Sequence, residues 1–100
     1  MRACALSDLP VEGAIKVTLD GIDICLARSE GEVFAVNDIC SHADVSLSEG
    51  DVEDGTVECW LHGSRFDLRT GKPCGLPATK AVATYQVVIE GDDVHVKLEK

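Results

Sequence analysis

CSHADVSLSEGDVEDGTVECWLH, residues 40–62, opens with a cysteine and a histidine one residue apart and closes with another such pair two residues apart. Cys40-x-His42 and Cys59-x-x-His62 are separated by sixteen residues and use two of the chain's three histidines. Thiolates and imidazoles together suit tetrahedral zinc or an iron–sulfur cluster. Common zinc fingers keep their cysteines in one pair and their histidines in the other. Here each stretch supplies one of each, so one metal can take both cysteines and a second metal both histidines. That is a ligand set used by a two-iron, two-sulfide centre.

Outward from these stretches the pattern is one of strands. VFAVNDI (33–39) precedes the first pair and GTVE (55–58) the second, and glycine, serine and aspartate are common around both. The pairs are therefore expected on loops carried by a β scaffold, where binding residues are often placed. Ile15, Val17 and Leu19 alternate with polar residues, Asp20–Gly21 follows, and Ile22, Ile24 and Leu26 resume the alternation. This reads as a hairpin with a two-residue turn. SEGE (29–32) is a second turn, leading into VFAV. Tyr85, Val87 and Ile89, then EGDD, then Val94, Val96 and Leu98 read as another hairpin. No window has sustained helical periodicity. The expected fold is all-β, an antiparallel sandwich or barrel. No repeat or linker interrupts it, so residues 1–100 are expected to be one domain.

Composition limits the function. Nine basic against eighteen acidic residues give a formal charge of −9, which repels nucleic acid and anionic lipid alike and favours a partner with a basic face. Nowhere does the sequence approach the roughly 20 apolar residues of a membrane span. The apolar run in MRACALSDLP is too short for a signal-peptide core, and a cytoplasmic protein is expected. Five cysteines do not make an even disulfide framework; in a reducing compartment, cysteines beside histidines point to metal. The core is thin, with 45% hydrophobic residues and four aromatics, so a metal centre would add materially to stability.

The chain resembles the Rieske-type ferredoxins, small electron carriers of bacterial multicomponent oxygenases. Residues 40–62 match the family's Cys-x-His and Cys-x-x-His pattern and its spacing, and the likeness continues through HGSRFDLRTGKP (62–73). The resemblance implies a β domain with a cluster-binding tip formed by two loops, about 38–50 and 58–66. It implies one Rieske [2Fe–2S] cluster per chain, with Cys40 and Cys59 on the buried iron and His42 and His62 on the outer one. CGLPA (74–78) is placed to be the covering loop, with Pro77 at its centre. Two thiolates cancel the charge of an oxidised two-iron core, where four thiolates would leave it negative. The mixed site therefore accepts an electron more easily, and its potential range of roughly −150 to +300 mV lies above the ~−400 mV of plant-type ferredoxins.

Respiratory members of the family carry two further cysteines that join the loops. Those places hold Val45 and Leu61 here, which implies the soluble ferredoxin branch. In high-potential members a serine after the His-Gly donates to a bridging sulfide and a tyrosine two residues later donates to a cysteine sulfur. Ser64 is present, but the tyrosine place holds Phe66, which implies the low end of the range. The expected role is one-electron transfer from a flavin-dependent ferredoxin reductase to a terminal Rieske oxygenase, by a monomer that is not itself an enzyme. A mononuclear iron site would need two more histidines and a carboxylate, and no nucleotide fingerprint is present. The alternatives are a small Rieske subunit of a reductase, an accessory to iron–sulfur assembly, or a structural Cys2His2 zinc module. Of the other residues, Cys4 and Cys25 read as buried inert thiols and Cys74 as structural. His95 reads as a surface residue, Trp60 as packing beside the second loop, and Asp44 and Glu49 as solvating the first.

Overall fold

Strand β1 (Arg2–Ala5) opens the chain in the computed structural model, which describes residues 2–39, 45–60, 63–74 and 80–98. The alternating segments then become hairpins. Strand β2 (Gly13–Leu19) turns into β3 (Ile22–Ser29) through Asp20 and Gly21, at φ 52° and 80°. Both are left-handed, as a type I′ turn requires. Glu30 and Gly31, at φ 54° and 80°, repeat the device between β3 and β4 (Glu32–Asn37). Two short strands follow, β5 (Val52–Glu53) and β6 (Thr56–Glu58), and their Asp54–Gly55 turn is the same again. Strand β7 (Arg65–Asp67) completes the small sheet. The last hairpin joins β8 (Thr84–Glu90) to β9 (Asp93–Lys97).

The strands form a six-stranded sheet in the order β1-β9-β8-β4-β3-β2 and a three-stranded sheet in the order β5-β6-β7. Every strand pairing is antiparallel. The end strands β1 and β2 approach each other, so the larger sheet nearly closes on itself and shields its edges. Among the described residues helix is limited to single 3-10 turns at Leu6–Asp8 and Leu47–Glu49. The antiparallel all-β expectation is met. Strands β1 and β5 were not visible in the sequence: β5 is two residues long, and β1 exists only by pairing with β9 at the far end of the chain.

Two cores lie on opposite faces of β3. Ile24 and Leu26 pack with Leu9, Leu19, Ala35, Val94 and Val96 inside the larger sheet. Cys25 and Ala27 point the other way, against Leu47, Val57, Cys59, Phe66 and Leu68 of the smaller layer. Residues 24 to 27 therefore have no exposed surface, and the strand reads as a continuous apolar run because both of its faces are covered. Phe66, Leu47, Val57 and Val36 are fully buried in this second core, at about 1.5–3 kcal/mol apiece. This core lies directly beneath the two loops of interest.

Candidate metal centre

The first loop is rooted where β4 ends. The side-chain oxygen of Asn37 accepts the Ile39 N–H at 2.9 Å, while its amide donates to the Tyr85 hydroxyl at 3.4 Å. Ile39 forms an isolated bridge with Ser46, so the chain leaves and returns at adjacent points. Between them, Asp38 is fully buried. Its N–H donates to the Asp23 carbonyl at 3.0 Å and its own carbonyl accepts the Leu47 N–H at 2.6 Å. Its Oδ1 accepts the Ser48 N–H at 2.9 Å. One residue thus fastens the start of the loop to β3 and to the turn that follows the loop.

The second loop is closed by two backbone hydrogen bonds at its root. The Cys59 N–H donates to the Ser64 carbonyl at 2.6 Å, and the Gly63 N–H donates back to the Cys59 carbonyl at 2.8 Å. Gly63 is left-handed at φ 75°, which glycine adopts without penalty. Cys59, Ser64 and Phe66 are buried together at this root. The two roots also touch. A Cβ on Gly50 would lie 1.7 Å from the Glu58 carbonyl oxygen, so only a glycine lets the end of the 3-10 turn rest against the residue before Cys59. The Gly50 N–H closes that turn on Leu47.

Of the expected ligands, Cys59 is described, with its thiol free and its residue fully buried. Cys40, His42 and His62 lie outside the described residues, as do Pro77, Asp44 and Leu61. The donor types fit a histidine-ligated two-iron cluster: buried Cys59 stands at the root of its closed loop, the root of the first loop rests against it, and each loop has one cysteine and one histidine in the sequence.

The remaining cysteines divide by environment. Burial, with the Asp38 charge adding to it, pushes the Cys25 thiol up to about 12, so Cys25 stays protonated and inert near neutral pH. Cys4 is also buried and its thiol is raised, chiefly by burial. Cys74 is exposed and tied by its N–H to the Arg65 carbonyl at 2.7 Å. A structural role for its side chain has no support in that position. Trp60 corrects another expectation: it is 50% exposed and belongs to neither core. Ile39, on the other loop, is 41% exposed. His95 is half-buried beside Glu90, 3.4 Å away, and stands among no other metal-binding groups of the described chain. Asp38 and Gly50 are the residues that sequence reasoning missed. An acidic residue directly after an apolar strand was the one available signal for Asp38.

Residues 1–86 match the family model of the Rieske [2Fe–2S] domain. The chain belongs to the Rieske [2Fe–2S] domain family, and within it to the ferredoxins: it carries electrons through a Rieske-type cluster and is not a catalytic subunit. It is 44% identical over 97 residues to the 3-phenylpropionate/cinnamic acid dioxygenase ferredoxin subunit of Escherichia coli strain K12, covering 96% of this chain and 91% of that one. Among solved structures, the ferredoxin of carbazole 1,9a-dioxygenase from Nocardioides aromaticivorans IC177 is 36% identical with a TM-score of 0.85, covering 96% and 94% of the two chains. A chain in the complex of reduced oxygenase and oxidized ferredoxin in carbazole 1,9a-dioxygenase is 28% identical with a TM-score of 0.91, covering 97% and 100%. No helix among the described residues is long and apolar enough to cross a membrane.

Proposed function

We propose that this ferredoxin takes one electron from a flavin-dependent ferredoxin reductase and delivers it to a terminal Rieske oxygenase. The observation that carries the reading is the pair of closed loop roots in contact at Gly50 and Glu58, with Cys59 buried at one of them. It is supported by the relation to a dioxygenase ferredoxin subunit and to a ferredoxin captured with its oxygenase. Cys40 and Cys59 would hold one iron and His42 and His62 the other. The cluster supplies a site that stores one electron and gains one negative charge in doing so. The protein's own residues fix its surroundings. Leu47 and Phe66 exclude water from beneath, the Ser64 and Gly63 backbone holds the Cys59 loop shut, and Pro77 belongs to the covering loop. Ser64 would offer a hydroxyl to a cluster sulfur, and Phe66 has none to offer.

The chain acts as a single domain of residues 1–100, a monomer of the reducing cytoplasm. Free thiols at Cys4, Cys25, Cys59 and Cys74 support that compartment. Anaerobic purification is expected to give two irons and two acid-labile sulfides per chain, with a rhombic electron paramagnetic resonance signal only after reduction. Cys59→Ser should abolish cluster retention and destabilise the fold, since the ligands tether two loops. A colourless protein with one zinc, or a fully loaded Cys59→Ser variant, would overturn the assignment.

A further inference from the structure

A buried carboxylate at the start of the first loop has one oxygen that no donor among the described residues satisfies. Asp38 has no exposed surface, and its Oδ1 is satisfied by the Ser48 N–H. Its Oδ2 is buried as well, and no hydrogen-bond donor among the described residues reaches it. Such an atom costs about 1–3 kcal/mol, and an unsatisfied buried group calls for an explanation. Fastening the loop does not supply one. An asparagine or serine in this place offers the Ser48 N–H the same acceptor, as such residues do at helix starts, without burying a charge. What only an aspartate adds is the charge itself.

The position of that charge is informative. Asp38 lies two residues before Cys40, its backbone holds Leu47, and Leu47 shares a buried cluster with Cys59. Its charge also acts on the buried Cys25 thiol, a member of that cluster. It therefore sits buried at the root of the first ligand loop, in a part of the protein that screens poorly.

We infer that Asp38 is a potential-setting residue: its buried carboxylate disfavours the added electron and holds the midpoint low, making the reduced ferredoxin a stronger donor. This rests on the reading that the loops of residues 40–62 hold a Rieske cluster. One electron enters the site on reduction and its charge becomes more negative by one, so a fixed neighbouring anion opposes reduction more than it affects the oxidised state. The destabilising oxygen is kept because it acts on the cofactor and not on the fold.

The test is protein-film voltammetry at pH 7 on the loaded wild type, Asp38→Asn, Asp38→Ser and Glu49→Gln, with thermal unfolding of each. Asp38→Asn and Asp38→Ser both retain an acceptor for the Ser48 N–H. Glu49→Gln removes the same charge from an exposed neighbour. Asp38→Asn is expected to favour the reduced state by tenfold or more, which is about 59 mV for one electron, with an unchanged reduced-state resonance spectrum and no loss of thermal stability. Asp38→Ser should shift in the same direction, and Glu49→Gln by much less. An unchanged or lowered midpoint in either loaded Asp38 variant would overturn the inference, as would an equal shift in Glu49→Gln. Failure of both Asp38 variants to retain the cluster would also overturn it, since the residue would then be purely structural. A wild type without a two-iron cluster would instead remove the reading beneath it.

Discussion

Ser64 and Phe66 stand two residues apart at the root of the second loop, both buried and one of them polar. A hydroxyl that donates to a cluster sulfur helps the reduced, more negative state most, and so raises the potential. Hydrogen bonds to charged groups contribute more than neutral ones; a differential of about 1 to 2 kcal/mol corresponds to roughly 40 to 90 mV for one electron. Ser64→Ala should lower the midpoint by about that amount, and Phe66→Tyr should raise it similarly by adding the donor this chain lacks. The wild type should itself lie near the low end of the roughly −150 to +300 mV range. Voltammetry on the three proteins measures all of this. A wild-type midpoint above about +200 mV would contradict the low-potential reading, and an unmoved Ser64→Ala midpoint would remove that hydroxyl from the cluster's surroundings.

Between elements, one contact joins the two loop roots and another holds the small sheet on the larger one. Gly50 is the first. Its φ of −92° is ordinary, so alanine is refused there by space alone: the Cβ would meet the Glu58 carbonyl. Gly50→Ala should cost about 1–3 kcal/mol as overpacking does and should lower iron content by parting the two loop roots. Gly21→Ala is the comparison. Nothing lies within 4 Å of its Cβ, so only the left-handed φ is penalised, at about 1–2 kcal/mol, and iron content should stay whole. The second contact is at Ser29, which is fully buried. Its hydroxyl donates to Glu12 Oε2 at 2.5 Å and accepts the Gly55 N–H at 2.9 Å, while the Glu30 N–H donates to Glu12 Oε1 at 3.2 Å. The Ser29 hydroxyl first, then the Glu30 N–H, holds the Glu12 carboxyl below its usual range. A depressed folded-state value means that this contribution is present above the ordinary carboxylate pKa of about 4.3 and is lost as pH falls through the folded value. Glu12→Gln should therefore flatten the fall in melting temperature below about pH 5. A melting curve whose acid dependence is the same in the variant would show that the Ser29 contact is indifferent to charge.

Charge is the property of the whole molecule that bears most on its partners. A formal −9 on a body of 38 × 26 × 19 Å is felt over about a Debye length, ~10 Å at 0.1 M salt. Near the loop roots Glu49 and Asp51 are exposed, and so are the apolar Ile39 and Trp60. Acidic and apolar side chains exposed near the loop roots suit a partner whose face offers basic and apolar groups. Second-order electron transfer to the oxygenase, followed by stopped flow, should slow as ionic strength rises, because steering is screened. Rates indifferent to salt would assign the acidity to solubility alone.

Local chemistry was legible in the sequence. The Asp20–Gly21 and Glu30–Gly31 turns and the β8–β9 hairpin follow from turn residues between alternating strands, which act over a few positions whatever surrounds them. The pairing of one cysteine with one histidine on each of two loops identified the cluster type for the same reason: ligand chemistry belongs to the residues themselves. The expectations for Cys40, His42, His62 and Pro77 rest on that chemistry and on the family. Contacts between distant parts of the chain were not legible. Alternation placed Ile24 and Leu26 in a core, and cysteine chemistry read Cys25 as buried, but neither could say that Ala27 would be covered or what would cover that face, since that depended on where the small sheet came to rest. Strand β1 pairs with β9 across the length of the chain, Gly50 is a glycine because of Glu58, and Trp60 stands outside both cores. Asp38 looked like a polar residue ending a strand. Only the folded chain buries it at the root of the first loop with an oxygen that no described donor reaches, because burial and its electrostatic consequence are properties of the packed surroundings and not of the residue.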